Sequence, residues 1–199
     1  AVAAICRQVE GLPLAIELAA SWVRVMPCAE IARQIDTNFD FLVADVRNVP
    51  PRHRSLRALF DHSWRLLALL EQEVLMRLSV FAGGWMPEEA AAVAGATHGL
   101  LLGLVDNSLV CAAGSGRFDL HELVRQYAAE KLTADGAAEG LRQRHYAAYL
   151  DLLRRADSHL RRPEAAAWIV RLQPEQDNLR AALQWTLDED RYEDAAWLM

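Results

Sequence analysis

Lysine and cysteine are scarce in this 199-residue sequence, and each scarcity excludes a class of site. Lys131 is the only lysine, and no glycine-rich turn precedes it. A phosphate-binding P-loop needs Gly-x-x-x-x-Gly-Lys-Ser/Thr, because its lysine must reach the terminal phosphates. The chain therefore carries no P-loop. The three cysteines, Cys6, Cys28 and Cys111, are odd in number and widely separated, a pattern that indicates neither a disulfide framework nor a zinc site and favours a reducing cytoplasm.

A basic charge balance and a long apolar run are also missing. The net charge is −6, whereas a nucleic-acid-binding protein usually presents an excess of basic residues on one face. The most apolar early stretch, residues 1–26, is interrupted by charged residues, and no uninterrupted apolar run approaches the roughly 18 residues that span a bilayer. It also lacks the basic start and small-residue cleavage site of a signal peptide. We therefore expect a cytoplasmic protein without membrane contact.

Apolar residues recur at spacings of three and four along most of the chain, which predicts a mainly α fold. Gly11 and Pro13 lie between two helical patterns, as expected for a helix stop followed by a helix start. The paired prolines of residues 47–54 predict a linker. We predict three domains: a small helical domain over 1–48, a winged-helix domain over 49–134, and the start of tetratricopeptide-like helical repeats over 135–199. The chain begins and ends within helical patterns, so we expect a fragment of a longer protein.

A winged-helix arrangement is predicted after the linker, because several helices precede a hairpin pattern. Pro87 opens a short helix, and the apolar segments on either side of Gly114-Ser115-Gly116 predict a β-hairpin. In a DNA-binding winged helix the third helix presents basic or amide side chains to base edges. The corresponding segment here, LLLGLVDNSLV, has no basic residue, and Asp106 would repel phosphate. Binding to DNA is therefore the less favoured interpretation.

Two segments of the last third of the chain look alike. Residues 161–170 and 190–199 align with a shift of 29 positions, which is typical of helix-pair repeats, although an alanine-rich chain also produces such matches by chance. Four arginines in this region recur at a spacing of seven and share one helix face, namely Arg154, Arg155, Arg161 and Arg162. That face either binds an acidic partner or nucleic acid, or simply faces water, and the second interpretation is favoured.

The segment RFDLHELVRQYA, residues 117–128, predicts a capped helix start. Asp119 and Glu122 have the spacing of a capping box, which places His121 in the first turn. Helix N-termini attract anions, so His121 either meets a phosphate or makes a local hydrogen bond, and the local role is the commoner one. The sequence shows neither a nucleophile with its base nor a metal-ligand set, and Arg125 stands where a zinc protease would need its second histidine. We predict no catalytic and no metal site.

Together these segments resemble a known family. GLPLAIELAA, SLRALFDHSWRLL, LMRLSVFAGGW, LVDNSLV and RFDLHELVRQYAAEKL follow one another as they do in signal-transduction ATPases of the NB-ARC and related (STAND) class. The likeness is greatest to bacterial transcriptional regulators of the LuxR-type and AfsR-like kind. The segment DNLRAALQW resembles the start of their helical-repeat region.

The resemblance implies a nucleotide switch. Pro13 would contact the adenine of ADP, and His121 would meet its β-phosphate, with Leu120 and Glu122 standing where the family has methionine and aspartate. The chain would hold no cofactor by itself. ADP or ATP with magnesium would bind a preceding P-loop domain, which would be its main partner. A protein or small-molecule inducer would act at the repeats, and the active form would be a homo-oligomer.

The function expected from the resemblance is that of a regulatory and sensor fragment. It would hold the ADP-bound inactive state and couple signals at the repeats to it. The chain would not be an enzyme itself, although its parent would hydrolyse ATP. A helical scaffold that binds another protein is the first alternative, and a DNA-binding winged helix is the second.

Overall fold

The computed structural model describes residues 1–9, 16, 19–20, 22–23, 26–37, 56–113, 116–163 and 165–191. Helices dominate these residues, so the predicted mainly α fold is confirmed. The helices are α1 (Val2–Gln8), α2 (Cys28–Thr37), α3 (Leu56–Leu66), α4 (Leu69–Leu78), α5 (Pro87–Ala94), α6 (His98–Asp106), α7 (Glu122–Asp135), α8 (Ala138–Leu160), α9 (Ala165–Leu172) and α10 (Gln176–Asp188). A 3₁₀ turn over Gln173–Glu175 joins α9 to α10.

The predicted hairpin is confirmed as two short antiparallel strands, β1 (Cys111–Ala112) and β2 (Phe118–Asp119). Cys111 lies opposite Asp119, and Ala112 lies opposite Phe118. The order of three helices, a hairpin and a further helix is the order that the sequence predicts for residues 69–135.

The chain forms two compact units. The first comprises Ala1–Gln72 with His121–Tyr127, and the second comprises Glu73–Leu120 with Ala128–Met199. Residues predicted to belong to the winged-helix domain and to the repeats thus share the second unit. The domain boundaries at 48/49 and 134/135 remain predictions.

The first unit has apolar contacts in two places. Helices α1 and α2 pack together through their spaced aliphatic residues, with Ile5, Val9, Ile31 and Ile35 all buried. Elsewhere in the unit, the Tyr127 hydroxyl donates to Asp61 Oδ1 at 2.7 Å. The Tyr127 ring lies 5.6 Å from that of Phe60 and 5.9 Å from that of Trp64. A buried tyrosine with a bonded hydroxyl joins apolar packing to a directional contact.

The second unit is built around the long helix α8, which packs against α5, α9 and α10. Its aromatic core includes Phe81, Trp85 and Tyr149, whose side chains are fully buried. Local signals set the bounds of two of its helices. Pro87 occupies the first turn of α5, as predicted, and Gly95 ends that helix with φ +69°. The Thr97 hydroxyl caps α6 by accepting from the Leu100 N–H at 3.3 Å.

The described helices include none that is both long and apolar enough to cross a membrane. Within the same residues, histidine, cysteine, aspartate and glutamate side chains do not assemble into a group of three or more that could hold a metal ion.

Candidate regulatory site

A buried polar cluster in the second unit joins the loop after α4 and the β-hairpin to α8, the 3₁₀ turn and α10. We call these last three elements the helical region. We call the polar cluster the junction cluster and define it as the side chains of Arg117, Tyr149, Glu175 and Asn178 with the backbone of 82–84. Glu175 is 2% exposed, Asn178 and Tyr149 are 0% exposed, and polar groups at such depth are stable only when they are hydrogen-bonded.

Asn178 lies in the first turn of α10, and its amide group binds three backbone groups of the 82–84 loop. Its Oδ1 accepts from the N–H of Ala82 at 2.9 Å and from that of Gly83 at 3.3 Å. Its Nδ2 donates to the Gly84 carbonyl at 3.0 Å. One side chain therefore satisfies backbone groups that lie 94 to 96 residues away.

Glu175 and Arg117 form the charged half of the junction cluster. Their ion pair is only 3% and 15% exposed, respectively. The second Glu175 oxygen accepts from the Tyr149 hydroxyl at 3.0 Å and from Asn178 Nδ2 at 3.3 Å. Arg117 Nη2 also donates to the Gly84 carbonyl at 2.5 Å. The stability of the buried Glu175 carboxylate depends on each of these donors, because the loss of one would leave its charge partly uncompensated.

The loop and the hairpin are also bonded to each other. The Trp85 N–H donates to the Phe118 carbonyl at 2.8 Å, and the Phe118 N–H donates to the Trp85 carbonyl at 2.9 Å. A Cβ atom added to Gly84 would lie 2.9 Å from the Phe118 carbonyl oxygen. Only glycine therefore fits where this backbone passes the hairpin.

His145 lies next to the junction cluster, among aromatic rings. Its ring centroid is 4.6 Å from that of Tyr149 and 5.3 Å from that of Phe81. Burial lowers the pKa of His145 to about 4, against the smaller opposing effect of its contact with Asn178. His145 Nε2 lies 3.4 Å from Asn178 Oδ1, and an amide oxygen only accepts, so the neutral ring carries its proton on Nε2.

Burial also shifts two oxygen acids beside the junction cluster. The pKa of the Tyr149 hydroxyl is raised, first by burial and then by the charge of Glu175. The pKa of the Glu89 carboxyl is raised, again chiefly by burial. Arg171 Nη2 lies 3.6 Å from Glu89 Oε1. The site therefore combines one well-bonded carboxylate, Glu175, with a second carboxyl group that burial favours in its protonated form.

Of the two residues predicted to contact ADP, Pro13 lies outside the described residues, so its position relative to His121 stays a prediction. His121 immediately precedes α7, and its Nδ1 accepts from the Leu123 N–H at 3.3 Å. It thus takes the capping position that the sequence assigned to Asp119, whose Oδ1 accepts from the Leu120 N–H at 2.7 Å. The local hydrogen bond expected as the commoner role of this histidine is present.

Glu122 pairs within its own helix. Its carboxylate lies 3.1 Å from Arg125 Nε and accepts from Gln126 Nε2 at 3.1 Å. Among the arginines noted in the sequence, Arg155 pairs with Asp151 at 3.0 Å, and both side chains are more than half exposed. That contact agrees with the favoured interpretation that these arginines face water. The prediction that all four share one helix face is wrong, because α8 ends at Leu160 and Arg161 and Arg162 lie beyond it.

The sequence reading missed the junction cluster itself. Asn178 lies in the DNLRAALQW segment and Gly84 in the LMRLSVFAGGW segment, and both segments enter the prediction only through the family resemblance. Two signals were available: a glycine pair beside an aromatic residue, and polar residues at positions where the α10 period requires burial. Neither signal identifies a partner nearly a hundred residues away.

Comparison with known proteins gives relatives in mycobacteria. The chain is 39% identical over 211 aligned positions to a Mycobacterium tuberculosis (strain H37Rv) protein named as a candidate HTH-type transcriptional regulator. A Mycobacterium bovis protein of the same description matches equally. Both alignments cover 100% of this chain and 23% of the relative. An uncharacterized M. tuberculosis protein is 34% identical over 155 positions, which cover 72% of this chain and 39% of that protein.

The chain thus spans less than a quarter of the length of the two regulators. No model of a protein family matches the sequence, and no solved structure matches it.

Proposed function

We propose that this chain is the regulatory segment of a bacterial transcriptional regulator, and that the junction cluster transmits changes in the helical region to the 82–85 loop and the hairpin. The names of the mycobacterial relatives support the first part. The second part depends on one observation: Asn178 and Glu175, at the start of α10, bind the backbone of the loop and the hairpin residue Arg117.

The physical reason for coupling is that the cluster has few stable intermediate arrangements. Withdrawal of Asn178 would leave the N–H groups of Ala82 and Gly83 without its oxygen, and withdrawal of Glu175 would leave Arg117 a buried, uncompensated charge. Each such loss costs a few kcal/mol, so the loop and the start of α10 move together or not at all. A ligand or protein that favours another position of α10 would shift that two-state equilibrium.

Amide hydrogen exchange on the purified chain tests this coupling. Asn178→Ala should speed exchange at Ala82, Gly83 and Trp85 by about 5- to 150-fold, because the loss of a buried hydrogen bond costs about 1–3 kcal/mol. The matched control is Gln184→Ala on the same helix, where the side chain is exposed and donates to the nearby Asp188 Oδ1 at 2.8 Å. Equal exchange in both variants would contradict the proposed coupling.

A transcript measurement tests the regulatory role. Asn178→Ala and Gln184→Ala would each be introduced into the chromosomal gene, and transcripts would be compared with those of the parent strain and of a deletion strain. We expect Asn178→Ala to change the transcripts that deletion also changes, and Gln184→Ala to leave them unaltered. Transcripts unaffected by both the deletion and Asn178→Ala would rule out the role in transcription.

The finer proposal is that the segment belongs to a nucleotide-switch ATPase of the STAND class. ADP or ATP with magnesium would bind a P-loop domain elsewhere in the longer protein, with Pro13 at the adenine and His121 at the β-phosphate. The sequence resemblance supports this, as does the position of His121 at the start of α7, where first-turn N–H groups favour an anion. The chain itself would be regulatory and not an enzyme, and the active form would be a homo-oligomer.

Two variants separate the structural role of His121 from a nucleotide role. His121→Asn keeps a capping side chain, whereas His121→Ala removes it, so only the second should destabilise α7, by about 1 kcal/mol. If His121 holds ADP, both variants of the longer protein should lose bound ADP, measured by chromatography after denaturation. ADP retained at the parental level by His121→Asn would rule out the proposed contact between His121 and ADP.

A protein-binding scaffold is the second candidate function, and α9 favours it. Ile169 and Val170 on this helix are 59% and 69% exposed. Single exposed aliphatic residues are common on protein surfaces. Two adjacent ones, on a helix that buries none of its residues, are typical of a surface that contacts another protein. In this case Ile169→Ser with Val170→Ser would abolish partner capture while leaving hydrogen exchange at the junction cluster unchanged.

The DNA-binding alternative has less support. Helix α6 corresponds to the predicted groove-reading helix, and its exposed side chains include His98, Leu102 and Asp106 but no arginine or lysine. A salt-dependent shift of duplex DNA by the chain would favour this alternative, because the salt slope counts phosphate contacts.

A further inference from the structure

We propose that a cavity beside the Arg117–Glu175 pair binds a small anion that carries a carboxylate or phosphate group, and that this anion regulates the junction cluster. The inference rests on the coupling proposed above. The cavity has a volume of about 530 Å³, which is enough for a small organic ligand. Its walls come from the start of α5, the hairpin, α8, α9 and the 3₁₀ turn, and its charged lining residues are Glu88, Arg117, Arg155, Arg171 and Glu175.

Charge favours an anion in this cavity. Three guanidinium groups line it, against the two carboxylates of Glu88 and Glu175, so the formal balance is positive by one. Guanidinium groups present paired N–H donors that match the oxygens of carboxylates and phosphates. The three arginines come from three separate elements, namely the hairpin, α8 and α9, and converge only through the fold.

Two of these arginines make contacts with their present partners that contribute little free energy. Arg171 Nη2 lies 3.6 Å from the Glu89 carboxylate, which is longer than a hydrogen bond, and its guanidinium lies 5.1 Å from the centre of the Trp168 ring. Arg155 pairs with Asp151 where both side chains are more than half exposed, a setting in which ion pairs are worth little. Both guanidinium groups are therefore able to exchange these contacts for a bound anion.

The start of α5 adds to the positive potential of the cavity. Met86 is the N-cap of this eight-residue helix, and its side chain makes no capping hydrogen bond to the first-turn N–H groups. The partial positive charge of a helix N-terminus favours an anion nearby. Glu88 and Glu89 both lie on the first turn and oppose it, although burial favours the protonated, uncharged form of Glu89. The anion should therefore lie away from Glu88, toward Arg155 and Arg171, with any short apolar part against Val170.

An anion in this position would compete with Glu175 for Arg117. Glu175 is held by Arg117, Tyr149 and Asn178, whereas an entering anion would offer Arg117 a second carboxylate or phosphate while Arg155 and Arg171 bind its remaining oxygens. Weakening of the Arg117–Glu175 pair would loosen the hairpin from the 3₁₀ turn. Occupancy of the cavity would thereby set the state of the junction cluster.

Isothermal titration calorimetry on the purified chain tests the site, with inorganic phosphate in one arm and succinate in the other. Arg171→Gln and Arg155→Gln should each weaken binding by about tenfold, as expected for loss of one charge-assisted contact. The matched control is Arg144→Gln, an exposed arginine of α8 that does not line the cavity. It should change affinity by less than about twofold. Circular dichroism of each variant confirms that it is folded.

The two arms identify the anion class, because binding of phosphate alone or succinate alone supports the site and names its preferred group. Absence of binding for both anions at concentrations up to about 20 mM would overturn the inference. Equal weakening by Arg144→Gln would do the same, since it would show attraction to the general surface. The hydrogen-exchange test of Asn178 needs no anion, so failure of the anion site would leave the proposed coupling standing.

Discussion

Arg117 and Glu175 lie 58 residues apart in the sequence and form an ion pair whose side chains are only 15% and 3% exposed. The first precedes strand β2, and the second ends the 3₁₀ turn before α10. Because the pair is buried, each charge depends on the other, and the hairpin and the helical region are energetically joined at this point.

A double-mutant cycle should reveal this dependence. Arg117→Met and Glu175→Gln should each lower the free energy of unfolding by about 3 kcal/mol, because each leaves a buried charged or polar partner uncompensated. The double variant should lose less than the sum, by at least about 1 kcal/mol. Urea unfolding at pH 7 measures all four proteins. Strictly additive losses would show that the two side chains do not stabilise one another.

Two adjacent glycines should respond differently to alanine. Gly84→Ala would place a methyl group 2.9 Å from the Phe118 carbonyl oxygen, a backbone atom already bonded to the Trp85 N–H. We expect a loss of about 1–3 kcal/mol, typical of forced overpacking. Gly83→Ala meets its nearest atom, Asp177 Cβ, at an ordinary 3.6 Å and should change stability by less than about 1 kcal/mol. Thermal unfolding compares them, and similar melting temperatures would contradict the close approach.

His145 should make the chain less stable in mild acid. Its pKa falls from 6.5 to about 4 in the folded state, so between these values the unfolded chain binds a proton that the folded chain does not. This contribution to stability is present above pH 6.5 and is lost as the pH falls toward 4, by about 3 kcal/mol in all. His145→Phe should remove that part of the slope, measured by urea unfolding from pH 4 to 7. An NMR titration that gave His145 an ordinary pKa would refute the assignment.

Glu89 should contribute a slope of the opposite sign. Its pKa is raised in the folded state, chiefly by burial, so the folded chain keeps a proton that the unfolded chain releases above pH 4.5. Stability from this group is present below pH 4.5 and falls as the pH rises through the folded pKa. Glu89→Gln should therefore gain stability relative to the parent as the pH rises. The exposed neighbour Glu88→Gln is the control, and identical pH profiles for the two variants would contradict the shift.

Much of the local structure follows from nearby residues. The helical period predicts most of the described helices, Pro87 begins α5, and the glycines near residue 115 place the hairpin between two short apolar strands. These features depend on contacts within a few residues, so sequence spacing is enough to predict them. The first turn of α7 was only half predicted, because His121 and Asp119 are both able to accept a hydrogen bond and only the backbone path decides between them.

The sequence by itself determined a mainly helical chain, the hairpin, and the absence of a P-loop, since each depends on residue type and spacing. Only the tertiary structure brought Asn178 to the backbone of Ala82 across 96 residues, and the guanidinium groups of Arg117, Arg155 and Arg171 to one cavity. The spacing of side chains within a helix does not indicate which distant loop will pack against that helix. Because the polar groups of the junction cluster are buried, their positions are coupled: polar groups removed from water are stabilised only by one another.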